Sequence, residues 1–468
     1  MIAMMGKPQS NRFKTTKMNY PLALCSILFA AICTLPDVSA QSIQEVDRLI
    51  GSPEAAEFAK YGNLDVSLYK GVPNITVPIY TLELKDFSLP VYLSYDAGGV
   101  KVDQIATSVG LGWSLHAGGQ ISAMTHALSD VDHPYEEPAN LETFDPNLWD
   151  TGGSTAEEND YKFAWEMFES PFAGDPKNTK PDVFYFNYPG NSGKFVKKSL
   201  ATFASVPYTN HTVSLNNGLF EIIDEHGNLF KFEQKETTTT TLRNCNGGPG
   251  SISAGSPVNS GMIPDESYTW HLSEIVTTNG DVIEFEYQVL SGYSYDAQIV
   301  QQKYKAQGGN HIECETYISD YQCTVEKYVT PTILKKITHQ RSGTEIRFFY
   351  GSRSDFGGSR VEKIGIYKDT DSGLYPYEEY NLNQSYFQSS GGTDHRYKRL
   401  RLDSVTKSGY GSYSFTYDNS VFPHRGSYSQ DTWGFYNGQS NSTLVPNGNG
   451  LTGAANRNVY TSYVDHWT

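Results

Sequence analysis

Leu272-Ser273-Glu274-Ile275 with Gly280 and Phe285-Glu286-Tyr287, Leu334-Lys335-Lys336-Ile337 with Gly343 and Phe348-Phe349-Tyr350, and Leu402-Asp403-Ser404-Val405 with Gly411 and Phe415-Thr416-Tyr417 are three copies of one pattern. In each, a Leu is followed by an Ile or Val, then a Gly, then aromatics ending in Tyr, and the first Leu and last Tyr are 15, 16 and 15 residues apart. A strand, a glycine turn and a second strand of alternating aromatics describe a β-hairpin. Looser versions are Phe184 to Tyr188, turning at Pro189-Gly190, and Ile222 to Phe232, turning near Gly227. A lone hairpin is marginal in water, so repeated hairpins with one aromatic face each must stack or wrap to bury it. A β-sandwich whose hairpins are alike by chance is the competing architecture.

Outward from these copies the chain keeps a β character. It has 33 Tyr and 42 Gly in 468 residues with only 19% charged residues, a mixture suited to many short strands and turns. Asp65 to Tyr69, Asn74 to Tyr80, Leu82 to Leu84 and Leu89 to Tyr95 are short β-branched or alternating runs bounded by Gly, Pro and Asp, and read as strands. Helical spacing is confined to residues 41–61, with a Ser52-Pro53 start signal, and to Glu157–Ser170, where Tyr161, Ala164, Trp165 and Phe168 share a face. Residues 237–262, a Thr run followed by dense Gly and Ser, have loop or linker composition. The expected fold is mostly β: repeated antiparallel hairpins in an elongated sheet, sandwich or partial shell, with short N-terminal helices and one helical insertion.

The first forty residues carry Lys7, Arg12, Lys14 and Lys17, an apolar run from Leu22 to Leu35, and Val38-Ser39-Ala40. That order predicts a secretory signal peptide cleaved after Ala40, and the run is shorter than the roughly 20 residues a membrane helix needs. Leu24 and Ile32 before Cys25 and Cys33 argue against a lipoprotein. The expected organisation is residues 1–40 as signal peptide, 41–125 as a helix and strand segment, 126–181 as an acidic insertion with one helix, and 182–468 as the hairpin region. Removing residues 1–40 takes away four positive charges and one negative, and the formal charge goes from −16 to −19. Such acidity repels phosphate backbones, excluding nucleic acid and anionic membrane as partners. Of the three cysteines left, Cys314 and Cys323 are spaced to close a small disulfide loop in an oxidising compartment, and Cys245 has no assigned partner.

No complete active site is legible. Ser114 and His116 stand two apart in Gly112-Trp113-Ser114-Leu115-His116, but a nucleophile elbow needs Gly where His116 stands, and no third group is indicated. Trp113 between glycines reads as core filling. Asp130, Asp132, His133, Glu136 and Glu137 are the densest acidic cluster, without the Asp-x-Asp-x-Asp-Gly spacing of a calcium loop, and read as a solvated loop. His211, His226, His271, His311 and His339 are dispersed and none is assigned as a metal ligand. No catalytic residue, cofactor or metal is assigned, and the reading leans against an enzyme.

Several stretches carry a resemblance. Ser52 to Phe58, Asn74-Ile75-Thr76-Val77-Pro78, Leu89 to Tyr95 and Val109-Gly110-Leu111-Gly112-Trp113-Ser114-Leu115-His116-Ala117-Gly118-Gly119, then Pro181 to Asn187 and Asp431 to Gly438, resemble the N-terminal region of exported bacterial Rhs or YD-repeat proteins. Gly-Leu-Gly-Trp-Ser-Leu also looks like the start of the B components of insecticidal toxin complexes. The resemblance implies a hollow β-shell of hairpins, which in toxin-bearing members encloses a C-terminal effector. This chain ends at Thr468, before a long repeat array or effector. The functional expectation is therefore a secreted or cell-surface, non-enzymatic shell or scaffold segment, associated with toxin delivery or surface interaction. Its candidate partners are its own missing C-terminal domain or a cell-surface glycan or protein. The alternatives are a secreted carbohydrate-binding or adhesive module and, third, a glycan or cell-wall hydrolase.

Overall fold

In a computed structural model the first strands are β1 (Ile75–Glu83), β2 (Ser88–Tyr95) and β3 (Trp113–His116), an antiparallel three-stranded sheet in the order β1-β2-β3. The structure describes residues 73, 75–124, 129–131, 181–199, 202–246, 265–307, 316–418 and 420–444. Strand accounts for 62% of these residues and helix for 2%, so the β expectation holds. The expected signal peptide, the helices of 41–61 and 157–170 and the strand at 65–69 lie outside the described residues. The runs at residues 74–80 and 82–84 are joined in one strand, β1 (Ile75–Glu83), with a register shift between Pro78 and Tyr80. Pro78 is tolerated because β1 is an edge strand, where a missing N–H disrupts no second ladder.

The rest of the molecule is built around a long hairpin of β10 (Leu229–Asn246) and β11 (Asp265–Val276). At its Leu229–Val276 end, β9 (Leu219–Ile223) flanks β10 and β12 (Val282–Val289) flanks β11. Toward the other end β14 (Thr316–Val329) lies beside β10 and β4 (Gln120–Met124) beside β11. From β4 the pairing runs to β5 (Val183–Tyr188), β6 (Asn191–Ser199) and β7 (Thr202–Ser205), while β8 (Thr212–Asn216) pairs β9. From β12 it runs antiparallel through β15 (Thr332–His339), β16 (Thr344–Ser352), β17 (Ser359–Thr370), β18 (Gly373–Gln388), β19 (Lys398–Lys407) and β20 (Gly411–Ser414). The hairpin of β13 (Tyr293–Gln307) and β14 leaves this run and returns to β10.

The Thr run corrects the loop reading of residues 237–262: Thr237 to Leu242 belong to β10, and only the Gly-Ser part lies outside the described residues. β-branched Thr suits a pleated strand, and this stretch is paired on both edges, by β11 and β14.

The three repeat copies are β11–β12, β15–β16 and β19–β20. Their aliphatic positions Ile275, Ile337 and Val405 are almost wholly buried in one core cluster with Trp113, Phe184 and Trp270. The last Tyr of each copy then does the same thing. Tyr287 Oη donates to the Leu272 carbonyl (2.8 Å), Tyr350 Oη to the Leu334 carbonyl (2.7 Å) and Tyr417 Oη to the Leu402 carbonyl (2.7 Å). Each repeat thus ties its final residue to its first with one hydrogen bond, worth about 1 kcal/mol net. The hairpins turn through Gly280 (φ 76°) and Gly343 (φ 59°) in the first two copies. In the third the left-handed position is Gly409 (φ 78°) and not Gly411, which opens β20. The Gly-Leu-Gly-Trp segment packs on this third copy: the Leu111 N–H donates to the Leu400 carbonyl (2.8 Å), and Trp113 Nε1 donates to Tyr417 Oη (2.8 Å). Burial pushes the Tyr417 hydroxyl up to about 12.

Candidate functional site

The inward face of β10 begins with buried Phe230 and Phe232 and, past a register shift and the half-buried Gln234, continues with buried Glu236, Thr238 and Thr240. An aromatic face thus becomes polar within one strand. Register then sets His271 of β11 beside Gln120 of β4 and Gln234 of β10. Across the sheet, Tyr287 of β12, Thr332 to Leu334 of β15 and Tyr350 of β16 continue the surface, and Ser114, Leu115 and Gly118-Gly119 pass over it. Between them is a cavity of about 140 Å³. Gly119 is required for this close passage, since a Cβ there would stand 2.8 Å from the Asn187 carbonyl oxygen and 2.8 Å from Tyr188 Cβ. Its carbonyl accepts from the Leu272 N–H at 2.8 Å.

Most polar groups around the cavity are matched. Tyr287 and Tyr350 donate to their repeat carbonyls, and burial raises the Tyr287 hydroxyl far above its ordinary range. Arg353 forks onto Asp355 (2.9 Å) and also donates to the carbonyls of Ala106 (3.0 Å) and Thr107 (3.1 Å). Three atoms remain. Glu236, 3% exposed, uses Oε2 to accept the Thr332 N–H at 2.8 Å while Oε1 has no hydrogen-bond partner. His271 Nε2 is 3.8 Å from Glu236 Oε2, within ion-pair distance but beyond hydrogen-bond reach, and has no hydrogen-bond partner. Ser114 Oγ, on a residue 3% exposed, is the third. Unmatched buried polar atoms are costly, and three of the twelve among the described residues belong to residues that line this one cavity, which marks it as the candidate site.

The residues singled out in the sequence separate. Ser114 and His116 form no dyad: the register pairs Ser94 with Ser114, whereas His116 Nε2 is hydrogen-bonded to Ser94 Oγ (2.8 Å) and its ring stacks on Tyr92 at 4.5 Å. Burial lowers the His116 imidazole to about 4, which keeps it neutral. Asp130 corrects the solvated-loop reading. It is fully buried, its Oδ2 accepts the Asp182 N–H (2.8 Å), and Asp182 Oδ2 accepts the Asp130 N–H (2.7 Å). Asp132, His133, Glu136 and Glu137 lie outside the described residues, as do His311 and Cys314. Cys323 is buried and disulfide-bonded. His211 meets Tyr188, His226 is an exposed neighbour of Asp224, and His339 pairs with Asp281 at 3.4 Å. Among the described residues no three His, Cys, Asp or Glu side chains come together as a metal site, and no helix is long and apolar enough to cross a membrane. Glu236 and His271 went unassigned in the sequence. The signal was a carboxylate two residues before Thr238, in phase with Phe230 and Phe232.

No known family matches this sequence, and no curated protein matches it. Among solved structures, a crystal structure of TcdB2-TccC3-Cdc42 is similar at 11% identity and TM-score 0.32, over 74% of this chain and 15% of that one. A crystal structure of TcdB2-TccC3 gives 12% identity and TM-score 0.31, over 74% and 16%. The Photorhabdus luminescens Tc holotoxin pore carrying TccC3-D651A gives 11% and 0.31, over 74% and 15%. The chain spans about 15% of the length of those proteins. Likeness this distant carries no argument about the function of this chain.

Proposed function

We propose that this chain is a structural wall segment of an exported protein, a non-enzymatic β-scaffold. The carrying observation is the repeated bond from the last Tyr to the first Leu in three hairpins of one antiparallel run. Identical ties at identical places suit a part whose task is to hold a surface, since each hairpin is stable only against its neighbours. Export rests on the signal-like order of residues 1–40. Service within a toxin-delivery or cell-surface protein is the finer form of this reading, and rests on the resemblance of the Gly110 to Leu115 stretch.

Expression of the full chain in a bacterial host, followed by fractionation and N-terminal sequencing, tests it. The reading expects an extracellular or surface product beginning at Gln41 that resists protease as one block from β1 to β20. An uncleaved cytoplasmic product, or digestion into separate hairpins, would overturn it. A second reading, a carbohydrate-binding or adhesive module, is favoured by Tyr375 and Tyr377 on β18, 60% and 57% exposed. Exposed aromatic rings offer flat apolar faces to sugars. Glycan-array binding abolished by Tyr375→Ser with Tyr377→Ser would establish it in place of the wall reading.

A further inference from the structure

We infer that the tip of the β17–β18 hairpin, with Tyr375, Tyr377 and Lys368, is a binding site for an acidic sugar residue. The inference rests on the adhesive reading of the two tyrosines and names the class of sugar they would take.

The platform is rigid because pairing runs to its end. Thr370 pairs with Gly373, so only Asp371 and Ser372 form the loop, and Thr370 Oγ1 donates to the Gly373 carbonyl at 2.8 Å. Gly373 closes this turn at φ 98°, where a side chain would be strained. Tyr375 therefore stands on a paired strand two residues beyond the loop. Its direct partner across the ladder is Lys368, and opposed residues share a face. Tyr377 follows at the register shift opposite Ile366 and Tyr367, and its ring centroid is 5.9 Å from Lys368 Nζ. Tyr80 of β1 completes the group, with its centroid 5.5 Å from the same atom. Tyr375 and Tyr377 keep more than half of their surface open to solvent.

Lys368 gives the platform its charge. Nζ donates to Tyr80 Oη (2.9 Å) and Thr344 Oγ1 (2.8 Å), both neutral oxygens, and among the described residues no carboxylate stands within ion-pair distance of it. In the same run of strands Arg347, Arg360, Lys363, Arg401 and Lys407 are each paired with a carboxylate. The acids nearest in sequence are engaged or directed elsewhere: Glu378 is held by Lys407 at 2.7 Å, and Asp369, next along β17, points to the opposite face. A half-buried ammonium among hydroxyls and rings keeps a third N–H and an uncompensated charge for an anion.

The two features call for one ligand. The apolar face of a sugar ring covers an exposed tyrosine, and an acidic substituent on that ring meets Lys368. A neutral sugar would leave the ammonium without a counter-charge, and an inorganic anion would leave the rings uncovered. The chain's formal charge of −16 repels heavily charged polymers at long range, which favours a sugar with a single acidic group.

Saturation-transfer NMR titration of the full chain with methyl β-D-glucuronide, methyl β-D-glucoside 6-sulfate and methyl β-D-glucoside tests this, since the probes differ only in the group on one carbon. At least one acidic probe should bind about fivefold more tightly than the glucoside, the gain of one partly exposed ion pair. The two acidic probes distinguish a carboxylate from a sulfate as the anion. Lys368→Gln retains a donor for Tyr80 and Thr344, and should reduce the acidic probes to the affinity of the glucoside while leaving the glucoside unchanged. Lys368→Arg should keep the preference, and Tyr375→Ser with Tyr377→Ser should abolish binding of all three. Equal binding of the three probes, or a preference that survives Lys368→Gln, would overturn the inference and leave the adhesive reading standing. Binding of neutral oligosaccharides on a glycan array without binding of either acidic probe would do the same. No binding of any probe or arrayed glycan would remove the adhesive reading, and the inference with it.

Discussion

The three repeat hairpins and the cavity between the first two are made from the same strands, yet they treat polar atoms differently. In the hairpins the hydroxyl of the last Tyr finds a carbonyl at a fixed place in each copy. In the cavity, a carboxylate, an imidazole and a hydroxyl are buried with atoms to spare. Buried atoms without a hydrogen-bond partner also occur elsewhere among the described residues, Asp281 Oδ1 and His339 Nε2 of the first two hairpins included, so what sets the cavity apart is that three such residues line one space. The contrast teaches that the ties recur at fixed places along the run, whereas the cavity gathers groups that the ties do not use.

The largest expected effect lies in the segment over the cavity. Burial lowers the His116 imidazole from 6.5 to about 4, so between those values the unfolded chain binds a proton that the fold refuses. Stability is therefore held in full above pH 6.5 and falls as the pH drops toward 4, by on the order of 3 kcal/mol. Urea unfolding across that window should show the slope, and His116→Gln should flatten it; an unchanged slope would remove the imidazole from the account.

Next come the ties themselves. Tyr287→Phe leaves the Leu272 carbonyl unmatched in a buried setting and should cost about 1–3 kcal/mol by denaturant midpoint. Tyr417→Phe also removes the acceptor of Trp113 Nε1, but Tyr417 is half-buried and water can replace part of the loss, so about 1 kcal/mol is expected. If both substitutions proved neutral, the repeated bond would be a consequence of the hairpins and not a support. The smallest effect is expected at Glu236. Glu236→Gln retains an acceptor for the Thr332 N–H and gives up only the 3.8 Å contact with His271, so thermal unfolding should show a change within about 1 kcal/mol. A large destabilisation would mean that the carboxylate is structural and erase the contrast.

The hairpins were legible because their signals are local: a Leu, a turn glycine and alternating aromatics lie within one stretch of chain, and the buried rows of Ile275, Ile337 and Val405 follow from period two. The cavity was not, because Glu236 and His271 are brought together by the β10–β11 register across a connection of low-complexity sequence. The Thr run hid Glu236 further, since threonines beside a Gly-Ser stretch read as linker, while pairing on both edges makes them strand. Asp130 was misread for a related reason: its partner, Asp182, lies 52 residues on. Cysteine spacing favours Cys314 as the partner of Cys323, and Cys323 is disulfide-bonded. Non-reducing peptide mapping identifies the partner: a Cys314–Cys323 link would bear the spacing out, and a Cys245–Cys323 link would overturn it.

Hydrogen exchange under native conditions tests the central claim, that the repeat hairpins form one mutually dependent wall. The amides of β11–β12, β15–β16 and β19–β20 should exchange with a common opening free energy equal to that of global unfolding, and Tyr350→Phe should lower all three together. Separate opening energies for the three hairpins, with the substitution felt only in its own copy, would contradict it.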